Sequence, residues 1–460
     1  MKRIAIIGGG IAGLSAAFYL ERARRAGANI GWTLFEKSDR LGGVIKTEIR
    51  DGFVLEAGPD SFLTMKPDGS RFCRDIGIGD QLIPSNDADR KTYILVKGRL
   101  VPIPDGLEFM VPTRVLPMAA TRLFSFSTKL RMANEIFSSG NHHADADESV
   151  ADFVRRHFGQ EMVDRVAEPL LAGVYGGNAD RMSVRAVLPR FAEMERESGS
   201  LVRASLKARK ARAKSTAPPQ PLFTSLKMGM QQMVDAAVAA LPPSSVRLQQ
   251  EGLSIRPVND DWQVESGRSS EIFQDVVMAV PASAVPALAR QVHPGLLEGL
   301  GKIQYTSSAA IAMGYATANL PVGHGFLVPR TEGRKILACT FVHKKFNHRA
   351  PGDQKLLRCF ISSSRVPDLN SLTDQELVDT CRSELKSILG LTAEPLFSNV
   401  YRWNPALPQY EVGHLERVAK MKAIIEDMRG FYLAGNSFDG IGIPDCIRSG
   451  RVAAEKIVAS

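Results

Sequence analysis

A short stretch near the N-terminus constrains this chain more than any other. The apolar run Ile4-Ala5-Ile6-Ile7 leads directly into Gly8-Gly9-Gly10-Ile11-Ala12-Gly13. A helical stretch follows from Leu14 to Ala26, Gly27 closes it, and a second apolar run, Trp32-Thr33-Leu34-Phe35, ends in Glu36. Strand, glycine turn, helix and strand within residues 4–36 make a β-α-β unit, the building block of a parallel sheet. The G-x-G-x-x-G spacing allows a tight turn and lets backbone N–H groups approach a pyrophosphate resting on the positive end of the helix. Glu36 lies 23 positions after Gly13, where a carboxylate can accept hydrogen bonds from ribose hydroxyls. NAD and FAD share this fingerprint, and a glycine-rich helix start with no ligand shares its first half.

The remaining length bounds the architecture. With 460 residues, 44% hydrophobic and 23% charged, the composition is that of a globular protein, and at roughly 150 residues per domain it predicts two or three domains. The net charge of +9 raises nucleic acid, an anionic membrane or an acidic small molecule as partners. The excess is uneven: residues 88–215 hold 21 Lys and Arg against 15 Asp and Glu. Within them Arg203, Lys207, Arg209, Lys210, Arg212 and Lys214 form a run without an acid. That run reads first as a solvated face, then as a contact for an anionic membrane or an acidic partner enzyme. Nucleic acid is not expected, because no stacking aromatics alternate with the charges. Five widely spaced cysteines (Cys73, Cys339, Cys359, Cys381, Cys446) with no CxxC indicate neither a disulfide framework nor a zinc site, and fit a reducing cytoplasm. The first 30 residues lack a signal-peptide pattern, and no run reaches the 18 apolar residues of a membrane-spanning helix.

Two further motifs favour FAD over NAD. Arg40-x-Gly42-Gly43 follows Glu36, offering a second glycine pair and a positive charge to the phosphates. Near the C-terminus a strand (Phe431 to Ala434) leads through Gly435-Asn436 and Gly440-Ile441-Gly442-Ile443-Pro444 into a helix ending at Val458. Proline suits a first helical turn, and a helix N-terminus facing a flavin would stabilise negative charge on its reduced ring. By itself this tail is also compatible with an ordinary capped helix. Between these ends the sequence predicts a hairpin turning on Asp51-Gly52, a helix over Val150 to Phe158, and a linker over Ser215 to Pro221. It also predicts an amphipathic helix from Ser371 to Gly390, capped by Thr373 or Asp374. The stretch Gly106 to Arg131 mixes apolar and basic residues with prolines. It reads as a wall of core helices or as a membrane-contacting patch. His142-His143 sits in a polar loop without a partner at ligand spacing, so no metal site is expected.

Taken together, the motifs resemble a known family along nearly the whole chain. They are Gly8 to Gly13, Gly58-Pro59-Asp60-Ser61-Phe62, Leu171-Ala172-Gly173-Val174-Tyr175-Gly176-Gly177, Arg402-Trp403 with Pro408-Gln409-Tyr410 and Gly413-His414, and Gly440 to Cys446. The chain resembles the flavin-dependent, oxygen-using porphyrinogen oxidases of haem synthesis, within the amine-oxidase-like flavoproteins. The pattern is most similar to the soluble Gram-positive-type members, which oxidise coproporphyrinogen III. The mitochondrial and plastid members oxidise protoporphyrinogen IX at membranes, which is the alternative substrate.

The resemblance implies a fold and a site. The fold is α/β in class, a multidomain α+β assembly with a Rossmann-type FAD-binding domain, a mixed-sheet substrate domain and a helical insert. The FAD-binding domain comes in three pieces, 1–87, 216–285 and 401–460, with the hairpin at 44–60 assigned to the substrate domain. The insert occupies 88–215 and the substrate domain 286–400. FAD is bound without a covalent link; a link through Cys446 is the alternative to a packed thiol there. Gly8, Gly9, Gly10, Ile11, Ala12, Gly13, Glu36, Lys37, Arg40, Gly42 and Gly43 hold its ADP part, and the backbone of Val246 holds the adenine. Gly58, Pro59, Asp60, Ser61, Trp403, Ile441, Gly442 and Ile443 line the isoalloxazine. Lys66 matches a substrate-pocket lysine. Membrane-type members pair a propionate with an arginine where this chain reads Arg90-Lys91-Thr92-Tyr93. No catalytic side chain is assigned: the flavin removes hydride from a bridge carbon, an N–H proton is lost, and three rounds give the aromatic porphyrin with O2 reduced to H2O2. Partners implied are the porphyrinogen and O2, a peripheral membrane surface, and a later haem-pathway enzyme, with the chain a monomer or homodimer in the cytoplasm. The same fold also carries amine oxidases, carotenoid desaturases and the non-enzymatic GDP-dissociation inhibitors.

Overall fold

The N-terminal β-α-β unit forms as the sequence predicts. The computed structural model describes residues 1–139, 146–213, 220–267 and 269–460. His142-His143, Lys214 and most of the predicted 215–221 linker lie outside the described residues. Strand β1 (Lys2–Ile7), helix α1 (Ile11–Arg25) and strand β2 (Ile30–Phe35) follow in order, and the strands pair in parallel from Lys2↔Ile30 to Ile7↔Phe35. Ile4 to Ile7 are buried, as a strand covered on both faces requires. The hairpin of β3 (Thr47–Arg50) and β4 (Phe53–Glu56) turns on Asp51 and Gly52 at φ of 50° and 81°. Those are the two positive angles of a two-residue hairpin turn. Helix α2 (Pro67–Asp75) starts on a proline, whose missing N–H is not needed there.

Beyond this point the chain leaves its first compact unit and returns to it twice. The first unit comprises Met1–Ser85, Gln220–Gln304 and Glu416–Ser460; the second comprises Asn86–Pro219 and Tyr305–Leu415. In the second unit run α3 (Val115–Ala120), α4 (Phe126–Asn134), α5 (Val150–Phe158), α6 (Glu168–Tyr175) and α7 (Leu201–Ala213). The first unit resumes with β5 (Val246–Arg247) and β6 (Asp275–Met278). The second resumes with β7 (Tyr305–Tyr315), β8 (Lys355–Ser362), α8 (Asp374–Leu389) and β9 (Phe397–Pro408). The tail β10 (Phe431–Leu433) and α9 (Ile443–Ala459) completes the first unit.

The first unit is built on a five-stranded parallel sheet in the order β5-β2-β1-β6-β10. The chain winds outward from β1 in both directions, so the glycine turn stands at the carboxyl end of the strand where the order reverses, the place where such sheets open a crevice. Helix α9 lies along α1 so closely that a Cβ on Gly450 would come within 2.1 Å of the Ala12 carbonyl. Ser15 Oγ donates to the Ile447 carbonyl at 2.8 Å in the same contact. Ile4, Leu14, Leu20, Leu34, Met233, Ile447 and Ile457 share one buried core.

The second unit holds a seven-stranded sheet in the order β9, β7, β8, Ala338–Phe341, Gly325–Leu327, Thr92–Val96, Arg99–Pro102. Its pairings are antiparallel except that of Gly325–Leu327 with Thr92–Val96. Helix α8 opens with the expected cap: Thr373 Oγ1 accepts from Glu376 N at 3.2 Å, and Thr373 N donates to Glu376 Oε2 at 2.7 Å.

Several predicted boundaries differ from those observed. The insert drawn from residue 88 as helical opens with Thr92–Val96 and Arg99–Pro102, two strands of the mixed sheet, turning on Lys97 and Gly98 at φ of 50° and 74°. Lysine rarely adopts positive φ, so the usual Asn-Gly or Asp-Gly cue is missing there. Residues 286–304, drawn with the substrate domain, carry the short helices Val285–Leu288 and Pro294–Gly301 and stay in the first unit, as does the hairpin at 44–60. A boundary at 400/401 would cut β9, which pairs with β7 along its length; the units divide at 415/416.

Candidate functional site

The glycine turn is shaped by two different demands. A Cβ on Gly8 would lie 2.6 Å from the Ala279 carbonyl, one on Gly9 2.3 Å from Leu41 Cδ2, and one on Gly13 1.9 Å from the Gly8 carbonyl. At Gly8 and Gly13 the clash is with backbone, so glycine is required by the protein's own packing, and at Gly9 the buried Leu41 side chain would have to move. Gly10 is under no such demand: its Cβ would meet nothing within 4 Å. Gly10 is also the N-cap of α1, where no side chain caps the helix and no acid stands in the first turn. A buried helix start without a side-chain cap, beside open space, suits an anion.

The neighbouring predicted residues gather around this turn. Glu36 folds back from the end of β2, with Oε2 accepting from Gly9 N at 2.6 Å and Oε1 from Ser38 N at 2.8 Å. Its own N–H donates to the Arg247 carbonyl at 2.9 Å, which sets Val246 on β5 next to it. Lys37 is exposed alongside. Gly42 N donates to the Gly9 carbonyl at 2.8 Å, and a Cβ on Gly43 would lie 3.3 Å from Gly10 Cα. Arg40, expected to offer charge to phosphates, directs its guanidinium to the Gly43 carbonyl at 2.7 Å and to that of Ile45, so it holds the loop closed.

A second group forms where α2 meets α9. The loop Gly58-Pro59-Asp60-Ser61 follows β4; a Cβ on Gly58 would lie 1.9 Å from the Val44 carbonyl, and the Asp60 carbonyl accepts from Ser225 Oγ at 2.6 Å. Gly442, flanked by Ile441 and Ile443, is the N-cap of α9, and Pro444 lies in its first turn. Asp445 Oδ2 accepts from Gly442 N at 3.3 Å and from Lys66 Nζ at 2.5 Å. Arg448 Nη2 lies 3.2 Å from Asp445 Oδ1, and Arg451 pairs with Asp68 of α2 at 3.1 Å. The sequence reading missed Asp445; its one local signal is an acid at the third helical position after Gly442. Cys446 is buried, and burial pushes its thiol up to about 12, which keeps it protonated and unreactive at neutral pH.

The family-type motifs of the second unit also converge. Helix α6 ends on Gly176 at φ 63°. The Tyr175 carbonyl accepts from Gln409 Nε2 at 2.9 Å, and the Gly176 carbonyl accepts from Ser362 Oγ at 2.9 Å. A Cβ on Gly177 would lie 1.8 Å from Gln409 Oε1. Tyr410 stacks on fully buried His414 at 4.0 Å, and Gly413 N donates to Asp147 Oδ2 at 3.1 Å. Trp403, grouped with the flavin residues by the sequence reading, stands on β9 opposite Ser308 in this second unit, whereas the other predicted cofactor residues belong to the first. Arg90 precedes the strand Thr92–Val96 and lies 3.9 Å from Asp87. Among the described residues no group of three His, Cys, Asp or Glu could hold a metal ion.

Residues 11–458 match the family of flavin-containing amine oxidoreductases. The chain is 32% identical to the coproporphyrinogen III oxidase of Bacillus subtilis (strain 168), over 98% of its own length and 97% of that protein's. It is 28% identical to the chloroplastic/mitochondrial protoporphyrinogen oxidase 2 of Arabidopsis thaliana, with 100% and 94% covered. A candidate protoporphyrinogen oxidase solved from Exiguobacterium sp. 255-15 superposes with a TM-score of 0.88 at 32% identity, over 100% of this chain and 99% of that one. A putrescine oxidase at 16% identity and a TM-score of 0.73 shares the fold.

Proposed function

Because the chain belongs to the flavin-containing amine oxidoreductases and, within them, to the porphyrinogen oxidases, we propose that it oxidises coproporphyrinogen III to coproporphyrin III, with O2 as acceptor and H2O2 as product. The observation that carries the substrate is the end-to-end match to the Bacillus subtilis enzyme. Protoporphyrinogen IX is the second reading, supported by the full-length match to the Arabidopsis enzyme. Likeness to putrescine oxidase is a likeness of fold, and a GDP-dissociation-inhibitor-like role has no support among these relatives.

The protein is an FAD-dependent oxidoreductase, and the residues present fit that cofactor: an uncapped helix start beside open space at Gly10, with a carboxylate at the end of the next strand. Bound FAD supplies a two-electron acceptor for hydride from a bridge carbon. In this reading the N–H groups of Gly10 to Gly13 hold the pyrophosphate and Glu36 accepts from the ribose, exchanging its hydrogen bond with Gly9 for one to a hydroxyl. Gly42 and Gly43 close the phosphate side, and Arg40 keeps their loop in place. Val246 meets the adenine through its backbone. Gly58 to Ser61 and Ile441 to Ile443 adjoin the ring system, and Lys66 meets a propionate. The protein orients the macrocycle, and no side chain is assigned a proton-transfer step. Coproporphyrinogen III and protoporphyrinogen IX, reduced anaerobically and assayed in parallel, test the reading. Flavin-dependent porphyrin fluorescence should rise faster with the four-propionate substrate; a rate no higher than autoxidation for both overturns it.

Among the described residues no helix is long and apolar enough to cross a membrane. The Gly106–Arg131 stretch divides between the two roles considered for it. Met110, Val111, Leu123 and Phe124 are buried, whereas Val115, Leu116 and Phe126 are more than 80% exposed. Leu130 and Phe137 are exposed as well, with the exposed cations Arg114 and Arg122 close in sequence. Arg209 donates to the Thr113 carbonyl at 2.8 Å, which sets the basic helix α7 against this stretch. Apolar tips beside cations suit an anionic lipid surface. We place the enzyme in the cytoplasm with a peripheral contact there; the five free, buried cysteines suit a reducing compartment.

A further inference from the structure

Lys66, the residue expected to meet a substrate carboxylate, already has a partner. Its Nζ lies 2.5 Å from Asp445 Oδ2; the lysine side chain is 42% exposed and the aspartate 3%. A carboxylate arriving at Lys66 therefore meets an ammonium whose charge is already balanced, and it approaches a second negative charge held just below. Asp445 does not depend on Lys66 alone. Gly442 N donates to the same oxygen at 3.3 Å, and Arg448 lies 3.2 Å from the other. The lysine can turn outward on its flexible stem without leaving Asp445 bare. Asp445 is also tied to the loop before α9, because a Cβ on Gly440 would lie 2.5 Å from its Cγ.

We propose that Asp445 is a specificity-determining residue for the porphyrinogen: it is the resting partner of Lys66, and a substrate carboxylate binds by taking Lys66 from it. This rests on the reading of Lys66 as a propionate contact. The internal pair weakens carboxylate binding and makes it depend on how many carboxylates the macrocycle offers. A substrate with several propionates keeps other contacts while it competes for the lysine, and one with fewer does not.

The test uses the flavin-loaded protein and titration with coproporphyrin III, followed by fluorescence quenching, so that no turnover is needed. Asp445→Asn keeps size and cap geometry while removing the charge. It should tighten binding about two- to fivefold, the range expected of a partly exposed ion pair. Lys66→Gln should weaken binding, and the double variant should match Lys66→Gln. Asp445→Ser also removes the charge while keeping a short polar side chain in the first turn of α9, so it should tighten binding as well. Unchanged or weaker binding by Asp445→Asn with flavin content intact overturns the proposal. If Asp445→Asn does not fold, unchanged or weaker binding by Asp445→Ser overturns it instead. Failure of the wild-type protein to bind any porphyrin or to oxidise any porphyrinogen overturns the substrate reading and leaves the pair to be judged separately. In that case Asp445→Asn should speed acetylation of Lys66 relative to the other lysines, measured by peptide mass spectrometry, and an unchanged rate overturns the pairing.

Discussion

Gly10 and His157 illustrate opposite degrees of legibility at the scale of single residues. Gly10 belongs to a motif read directly from spacing, and the structure adds why it differs from Gly8, Gly9 and Gly13: only its Cβ would enter open space. Its φ of −67° suits any residue. Gly10→Val should therefore fold with a melting temperature close to that of the parent and lose at least about tenfold in FAD affinity; normal flavin absorbance per protein would contradict this. His157 carries no sequence signal beyond a place on an amphipathic helix. In the folded chain it is buried, with Nδ1 2.8 Å from Glu135 and Nε2 3.2 Å from Glu195. Burial pulls its pKa down, but the hydrogen bonds to the two carboxylates outweigh that and raise it above the ordinary 6.5. The folded state thus favours the protonated ring. Its stabilisation is complete below 6.5 and is lost as pH rises through the higher folded value. Glu195, also opposed by burial, is lowered to about 2 by His157 and Arg156, so its contribution is lost only as pH falls from 4.5 toward that value. His157→Gln should cost about 1–3 kcal/mol near pH 6, with the gap to the parent narrowing toward pH 9 in urea titrations. An equal gap at both would refute the assignment.

At the scale of elements, agreement follows the reach of the signal. The β3–β4 hairpin, α5 and the capped start of α8 appear where predicted, because a turn dipeptide or a cap acts within four residues. The strands Thr92–Val96 and Arg99–Pro102 were not legible, because the turn between them places lysine at positive φ and the strand that ties Thr92–Val96 into the sheet, Gly325–Leu327, lies far along the chain. Helix α7 adds to a different reading. Its basic run looked like a solvated face, yet Arg203 donates to the carbonyls of Ile136, Ser138 and Ser198, and Arg209 donates to that of Thr113. Arg203, Lys207 and Lys210 are exposed and Arg209 is half-buried, but the two lysines hold no carbonyl of the described residues in this way. The start of α7 is held by Glu135, which accepts from Leu201 N at 2.7 Å and Val202 N at 3.1 Å. Arg203→Ala should therefore destabilise the chain by about 1 kcal/mol, whereas Lys207→Ala should stay within about 0.5 kcal/mol of the parent. Equal denaturation midpoints for the two variants would return the whole run to the solvent.

For the whole molecule, the +9 charge has separable origins: some of the cations hold backbone carbonyls, and others stand at the exposed apolar tips of α3 and α4. Binding to vesicles rich in phosphatidylglycerol should be measurable by flotation and weaken with salt. It should fall several-fold when Phe126 and Phe137 are both changed to serine; undiminished flotation of that variant removes the lipid contact. The sequence by itself determined the β-α-β unit, the dinucleotide turn, the tail helix and the family, because each is written in contiguous residues whose backbone demands are local. Tertiary structure alone decided which residues of the two compact units share a sheet, that the cofactor residues expected together are divided between those units, and that Lys66 rests on Asp445. Those outcomes depend on contacts between residues hundreds of positions apart. No local pattern encodes them, because they exist only once burial has brought the segments together.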